Sequence, residues 1–289
     1  MATPTQWIAG ARPRTLPNAV APVLAGVGAG MHAGHVDWWK AVLALAVAIS
    51  FVIGVNFAND YSDGIRGTDD DRVGPMRLVG SGAAAPTAVK RAAFACFGVG
   101  AACGLVLAVT TAWWLVALGA VCIVGAWFYT GGARPYGYLG FGEVAVFIFF
   151  GLVAVLGTQY VTAGSIDWVG NVCAVAIGCF STAVLVVNNL RDIPTDTESG
   201  KRTLAVRIGD RGTRVLFGAL VATPLVLTLS LIAATPWTLL SLAVLGLVWV
   251  AYRPVRAGAV GPGLIPALGA TGIAMLAWSV LITTGLVLG

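Results

Sequence analysis

A chain of 289 residues that is 58% hydrophobic and only 10% charged, with a mean hydropathy of +0.89, is too apolar for a soluble globular domain. Lipid is its natural solvent. A net charge of +5 spread through loops between apolar runs points to a membrane surface or an anionic ligand, not to nucleic acid.

Met1–Arg14 is polar and ends in ARPRTLP, so no cleavable signal peptide is expected there. Apolar stretches of spanning length follow near 16–33, 38–60, 87–110, 112–130, 140–163, 167–189, 213–233, 236–252 and 264–288. Each is predicted helical, because lipid leaves backbone groups no partner outside their own helix. The expected fold is an all-α integral membrane protein with nine transmembrane helices, residues 1–289 forming a single domain. The five cysteines, Cys96, Cys103, Cys122, Cys173 and Cys179, all lie inside these runs without a CxxC or Cys/His cluster, which reads as helix packing.

The charges order the spans. Arg12 and Arg14 precede the first. Arg66, Arg72, Arg77, Lys90 and Arg91 follow the second, and Arg134 the fourth. Arg191, Lys201, Arg202, Arg207, Arg211 and Arg214 follow the sixth; Arg253 and Arg256 follow the eighth. Only Lys40 of the 17 basic residues falls on the other side. The positive-inside rule then makes the crowded side cytoplasmic, with the N-terminus inside and the C-terminus outside. Trp38, Trp39, Trp113, Trp114, Trp168 and Trp237 fall at the proposed outer ends, where an aromatic belt belongs, and Gly100 and Gly104 allow close helix contact.

The acids follow the same map without helping to set it. Ten of the 12 lie at the cytoplasmic ends, Asp37 and Asp167 being the exceptions. Two motifs concentrate them. VNFANDYSD ends span two with Asn56, Asp60 and Asp63; NNLRDIPTD ends span six with Asn188, Asp192 and Asp196. Both contain Asn-x-x-x-Asp, and residues three or four apart share a helix face, so each presents an oxygen-rich patch. Four spans separate them, as in an internal repeat of four-helix units. Carboxylates crowded together repel unless a cation intervenes, and Mg²⁺ typically takes one or two carboxylates, waters and a substrate phosphate. Arg66, Arg72 and Arg77 beside the first motif, and Arg191, Lys201 and Arg202 beside the second, complete a clamp suited to diphosphate. Asp69–Asp71 and Glu198 read more simply as solvated loop charges. The segments at about 63–86 and 192–212 exceed ordinary connections and are expected to cap the site.

Elsewhere, Arg134 is placed to touch phosphate. Tyr129, Tyr136 and Tyr138 offer either an electron-rich wall near a developing cation or ordinary interfacial aromatics. Glu143, early in a span, needs a partner. Asn59, Tyr129, Tyr138 and Glu143 are assigned to the substrate pocket. Gln159 reads as helix-packing glue. The His32/His35 pair lacks further ligands for zinc, and no Walker loop, nucleophile elbow or HExxH motif occurs.

NDYSD and RDIPTD at the ends of spans two and six resemble the UbiA superfamily of intramembrane aromatic prenyltransferases. Within it, ARPRTLPNAVAPVLAG, RPYGYLGFGEVAVFIFFG and NNLRDIPTDTESGKRTLAVRIG are similar to the branch that prenylates 1,4-dihydroxy-2-naphthoate. The resemblance implies a ring of nine helices around a central cavity, capped by the two cytoplasmic loops and open sideways to lipid. It implies that Asn56, Asp60, Asp63, Asn188, Asp192 and Asp196 bind Mg²⁺ and diphosphate, with Arg134, Lys201 and Arg202 nearby. It further implies polyprenyl diphosphate and dihydroxynaphthoate as substrates. The third aspartate that members often carry after each pair is Gly67 here in the first motif and Gly200 in the second. The rival readings are another aromatic acceptor, such as 4-hydroxybenzoate or homogentisate, and an ion-coupled transporter. The residues leave prenyl chain length and oligomeric state open.

Overall fold

The computed structural model describes residues 2–67 and 76–289, and no described residue lies in a strand. Asp69, Asp70, Asp71 and Arg72 fall outside the described residues. A short helix, α1 (Pro4–Ala11), opens the chain; Thr3 caps it, accepting from Gln6 N at 3.3 Å while Gln6 Oε1 accepts from Thr3 N at 2.8 Å. Then come α2 (Pro17–His32), α3 (Trp38–Gly64), α4 (Pro86–Thr110) and α5 (Trp114–Phe128). α6 (Gly142–Val146) runs through a π-helical stretch, Phe147–Val153, into α7 (Ala154–Ala163). α8 (Trp168–Glu198), α9 (Leu204–Leu231), α10 (Leu245–Arg256) and α11 (Ile265–Leu288) complete the bundle.

Seven helical units among the described residues are long and apolar enough to cross a membrane. α2 and α5, on the expected spans 16–33 and 112–130, have 16 and 15 residues. At 1.5 Å per residue these are about 22–24 Å long, somewhat short of a bilayer core of about 30 Å.

α3 and α8 are the opposite case. Their 27 and 31 residues make rods of about 40 and 46 Å. A hydrocarbon core takes about 20 residues, which carries α3 from Trp38 to Ala58 and α8 from Trp168 to Asn188. Both acidic motifs therefore stay helical while emerging beyond the apolar slab. The region at 192–212, expected as a cap, is mostly helix for this reason: α8 continues to Glu198 and α9 starts at Leu204, with a bend where Gly209 takes φ 73°. Between Gly67 and α4 the described residues are 76–85, and they fold back on the end of α3.

Contacts between elements fix which ends meet. At one end, Lys40 Nζ donates to Thr110 O at 3.5 Å and Asp37 N to Thr162 O at 2.9 Å, gathering the start of α3 with the ends of α4 and α7. Gln159 acts as the expected glue there, its Nε2 donating to Asp167 Oδ1 at 2.8 Å. The tryptophans of the proposed belt are 47–68% exposed. At the other end, Thr130 Oγ1 donates to Asn59 Oδ1 at 2.8 Å and Arg202 N to Tyr138 O at 2.9 Å, gathering the ends of α3, α5 and α8.

α8 is the axis of the packing. Its Ile177 and Phe180 are fully buried against Met275 and Trp278 of α11, in a core that also takes in α9, α10 and part of α2. A smaller core under α1 joins Phe57, Leu78, Val89 and Phe97. α5 contributes no buried residue at all. The π-helical stretch lies directly on α8: a Cβ on Gly151 would stand 2.5 Å from Gly178 Cα and 2.8 Å from Ala174 O. Both neighbours are backbone, so neither can move aside. Gly151→Ala is expected to destabilise the protein by about 1–3 kcal/mol, read as a lower Tm in detergent, with Gly157→Ala, which meets nothing within 4 Å, as the neutral control.

Candidate active site

A cavity of about 1220 Å³ runs between α2, α3, α4, α5, α7, α8 and α11. Most of its wall is apolar, from Val47 and Phe51 on α3 through Leu118 and Ile123 on α5 to Phe150 and Val161. The charged part of the wall is confined to the end where α3 and α8 finish, with Asp63, Arg77, Arg191, Asp196 and Lys201.

Tyr138 joins the two motifs across that end. Its hydroxyl donates to Asp63 of the first, and its carbonyl accepts from Arg202 N beside the second. The Lys201 ammonium sits 4.6 Å from its ring centroid and the Arg66 guanidinium 5.6 Å. The two acid-bearing helix tips thus share one chamber wall.

Each carboxylate is already held. Asp60, 1% exposed, accepts from the amides of Leu78 at 2.7 Å and Val79 at 3.0 Å, so it anchors the returning segment and is not in the cavity wall. Asp63 lies 3.6 Å from Arg77. Asp192 takes a bidentate pair from Arg191 at 2.7 and 2.8 Å, and a longer bond from Asn188 Nδ2 at 3.4 Å; it too lies behind the wall. Asp196 lies 3.8 Å from Lys201. Buried carboxylates need such partners, since an unpaired charge away from water is costly.

The basic residues divide. Arg77, Arg191 and Lys201 line the cavity, whereas Arg66, Arg134 and Arg202 are exposed and do not. Arg66 spends its guanidinium on the carbonyls of Ser62, Thr130 and Gly132, tying the end of α5 to α3. Asn59, Tyr129 and Asn188 line the chamber. Glu143 stands behind it, 5% exposed, and finds its partner in Asn189, whose amide donates at 2.9 Å and which does line the wall. Burial pushes the phenol of Tyr136 up to about 12, so it stays protonated and donates to Gly125 O at 2.7 Å.

The N-terminal corner, which the sequence does not mark as part of the site, also belongs to the chamber wall. Arg12, Arg14, Thr15 and Asn18 all line the cavity. Arg12 takes the left-handed conformation, φ 55° and ψ 69°, unusual for a residue with a Cβ. Asn56 holds the corner, donating to Ala11 O at 3.0 Å and Thr15 Oγ1 at 2.8 Å. Both hydrogens of its amide are therefore used, leaving Oδ1 as its only possible metal ligand. ARPRTLP signals charge ahead of span one and a family resemblance; its long-range partner Asn56 leaves no mark in the local pattern.

Comparison with known proteins fits this geometry. The model of the UbiA prenyltransferase family matches residues 19–259. The chain belongs to that family. It is 59% identical over 289 residues to a protein named 1,4-dihydroxy-2-naphthoate octaprenyltransferase from Mycobacterium tuberculosis, covering 100% of this chain and 99% of the relative. A protein of the same name from Escherichia coli is 38% identical over 246 residues, 81% of this chain and 80% of its own. Among solved structures, a UbiA homolog from Archaeoglobus fulgidus bound to DMAPP and Mg²⁺ superposes with a TM-score of 0.67 at 15% identity, covering 96% of this chain and 99% of that one. An apo UbiA homolog from Aeropyrum pernix gives 0.70 at 16%, over 94% and 97%. At such identities the UbiA structures speak to the fold.

Among the described residues no three acidic, histidine or cysteine side chains converge as a ready-made metal cage. The donor set still suits a hard cation that needs few protein ligands: the carboxylate oxygens of Asp63 and Asp196 at the mouth of a chamber, paired with Arg77 and Lys201. Asn56→Ala is expected to cost about 1–3 kcal/mol by removing the donor to Ala11 O and to Thr15 Oγ1. Thermal unfolding without metal, and faster hydrogen exchange at residues 11–15, would register the loss.

Proposed function

We propose that this protein transfers a polyprenyl group from polyprenyl diphosphate to 1,4-dihydroxy-2-naphthoate, with loss of CO₂ and diphosphate, giving the prenylated quinol whose oxidised form is demethylmenaquinone. The observation that carries the reading is that two acid-bearing helix tips meet at the single charged end of an apolar chamber, in a chain 59% identical along its length to a naphthoate prenyltransferase.

Asp63 and Asp196, which line the chamber, would hold Mg²⁺ with the Oδ1 atoms of Asn56 and Asn188 in the same wall, and Asp60 and Asp192 stand in reserve behind them. Bound there, Mg²⁺ supplies charge neutralisation for the leaving diphosphate. Arg77, Arg191 and Lys201 pair with carboxylates in the substrate-free chain and would turn to phosphate oxygens as substrate arrives. The exposed Arg134 and Arg202 would serve the approach of the anion instead. The rings of Tyr129 and Tyr138 face the point where the allylic cation develops, and the apolar walls keep water from it. The aromatic carbon that bears the carboxylate attacks that cation, and CO₂ departs.

This reading takes α2 and α5 as short spans, making nine, with the charged end cytoplasmic, as the positive-inside count has it. The segments around 76–85 and 199–203 would close the mouth. A transporter places its polar site near the bilayer midplane; the charged groups here gather at one end, which disfavours it.

Purified protein given dihydroxynaphthoate, a polyprenyl diphosphate and Mg²⁺ is expected to release diphosphate and form a prenylated quinol, and chelation by EDTA to stop it. Asp63→Ala and Asp196→Ala should each lower kcat at least about 100-fold with folding intact. Full turnover in both variants would contradict the site. Competition with 4-hydroxybenzoate and homogentisate in the same assay tests the acceptor, which dihydroxynaphthoate should win.

A further inference from the structure

Glu143 is an acid that the metal end of the chamber leaves unused. It stands in the first turn of α6, 5% exposed, within a segment long and apolar enough to cross a membrane. A carboxyl group placed there is costly and marks a functional position by default. Its backbone is held closely: Thr182 Oγ1 of α8 donates to Glu143 O at 3.5 Å, and a Cβ on the preceding Gly142 would stand 3.1 Å from the Tyr129 hydroxyl. Its side chain takes the Asn189 amide hydrogen at 2.9 Å. Resting on the proposed function, we propose that Glu143 is a positioning residue for the aromatic acceptor. It turns the Asn189 amide so that Oδ1 faces the chamber and accepts a hydrogen bond from a ring hydroxyl.

Orientation, hydrogen-bonding capacity and depth select that ligand. Asn189 lines the chamber while Glu143 stands behind it. With Nδ2 turned back to Glu143, Oδ1 is the atom the side chain presents forward. Among the described residues it accepts from no donor, and it is not sealed from the chamber. An amide oxygen only accepts. Diphosphate is itself an array of acceptor oxygens and an isoprene chain carries no polar hydrogen, so of the two substrates the hydroxylated ring alone brings a donor. Asn189 also lies seven residues before Asp196 on α8, about 10 Å further in at 1.5 Å per residue. That is beneath the diphosphate, where the first prenyl carbon and the ring have to meet. The same helix face continues inward through Leu185 and Ser181, so the amide is the last strongly polar group before the wall turns apolar on that side.

Steady-state kinetics of the purified protein test the assignment. In Glu143→Ala, KM for dihydroxynaphthoate is expected to rise at least about tenfold, the size of one hydrogen bond. KM for the polyprenyl diphosphate and the Mg²⁺ requirement should stay within about twofold of wild type. Glu143→Gln keeps an oxygen for the Asn189 N–H and should recover most of the loss. Asn189→Ala should show the same split, and the double variant should be no worse than Asn189→Ala alone, because Glu143 acts through it. Competitive inhibition by 1-hydroxy-2-naphthoate and 4-hydroxy-2-naphthoate identifies the hydroxyl: the ring that lacks the paired one should bind wild type and Glu143→Ala equally. Equal losses for donor and acceptor, a raised Mg²⁺ requirement, a Gln variant as poor as Ala, or one common loss for all three rings would each overturn the proposal. If Glu143→Ala does not fold, Glu143→Gln and Asn189→Ala decide by the same criteria. Wild-type protein that prenylates no naphthoate sinks the functional reading itself, whereas variants with unchanged acceptor KM sink the Glu143 assignment alone.

Discussion

Everything at the charged end depends on keeping acid and base together where the bilayer stops. α3 and α8 are too long for the hydrocarbon slab, so their last turns carry Asp60–Asp63 and Asp192–Asp196 out of it without leaving the helix. Each carboxylate is then matched within the chain, by Arg77, Arg191, Lys201 or a pair of backbone amides. Charge so balanced can be buried without a cation present. On the proposed function, the same balance would make the site exchangeable, since an arriving diphosphate and its metal would replace pairings of like kind instead of creating charge in an apolar place.

The four acids are not equivalent. Asp63 and Asp196 look into the chamber, while Asp60 and Asp192 brace what surrounds it. Asp60 holds the returning chain at Leu78, a fully buried residue of the core under α1. Asp192 fixes Arg191, whose position in the wall follows from that bidentate pair. Asn56, one turn earlier on α3, does comparable work on the N-terminal corner. Ligand binding at the mouth is therefore coupled to the segments that frame it through these side chains.

Tyr138 makes the two halves one site. It comes from neither acidic motif but from the short turn between α5 and α6, and it touches Asp63 of the first and Lys201 and Arg202 beside the second. The π-helical stretch that follows, seated on Gly178 through Gly151, places Phe149 and Phe150 along the chamber. One connection thus furnishes the bridge at the polar end and part of the apolar wall below it.

Length, hydropathy and the one-sided distribution of bases were enough to predict a helical membrane bundle and to put both acidic motifs at one end of it, because spanning geometry and charge placement are local physics. The i, i+3 and i+4 spacing of Asn56, Asp60 and Asp63 likewise announced a shared helix face. What the chain alone did not disclose is which atoms each side chain meets. That Asn56 clamps residues 11–15, that Glu143 pairs with Asn189, that Arg66 is consumed by carbonyls and that α8 stays helical through 192–198 were all decided by tertiary structure. These are contacts between residues 40 to 70 positions apart, or the consequence of how far a packed helix continues, and hydrogen-bond partners at such separations leave no trace in the local pattern.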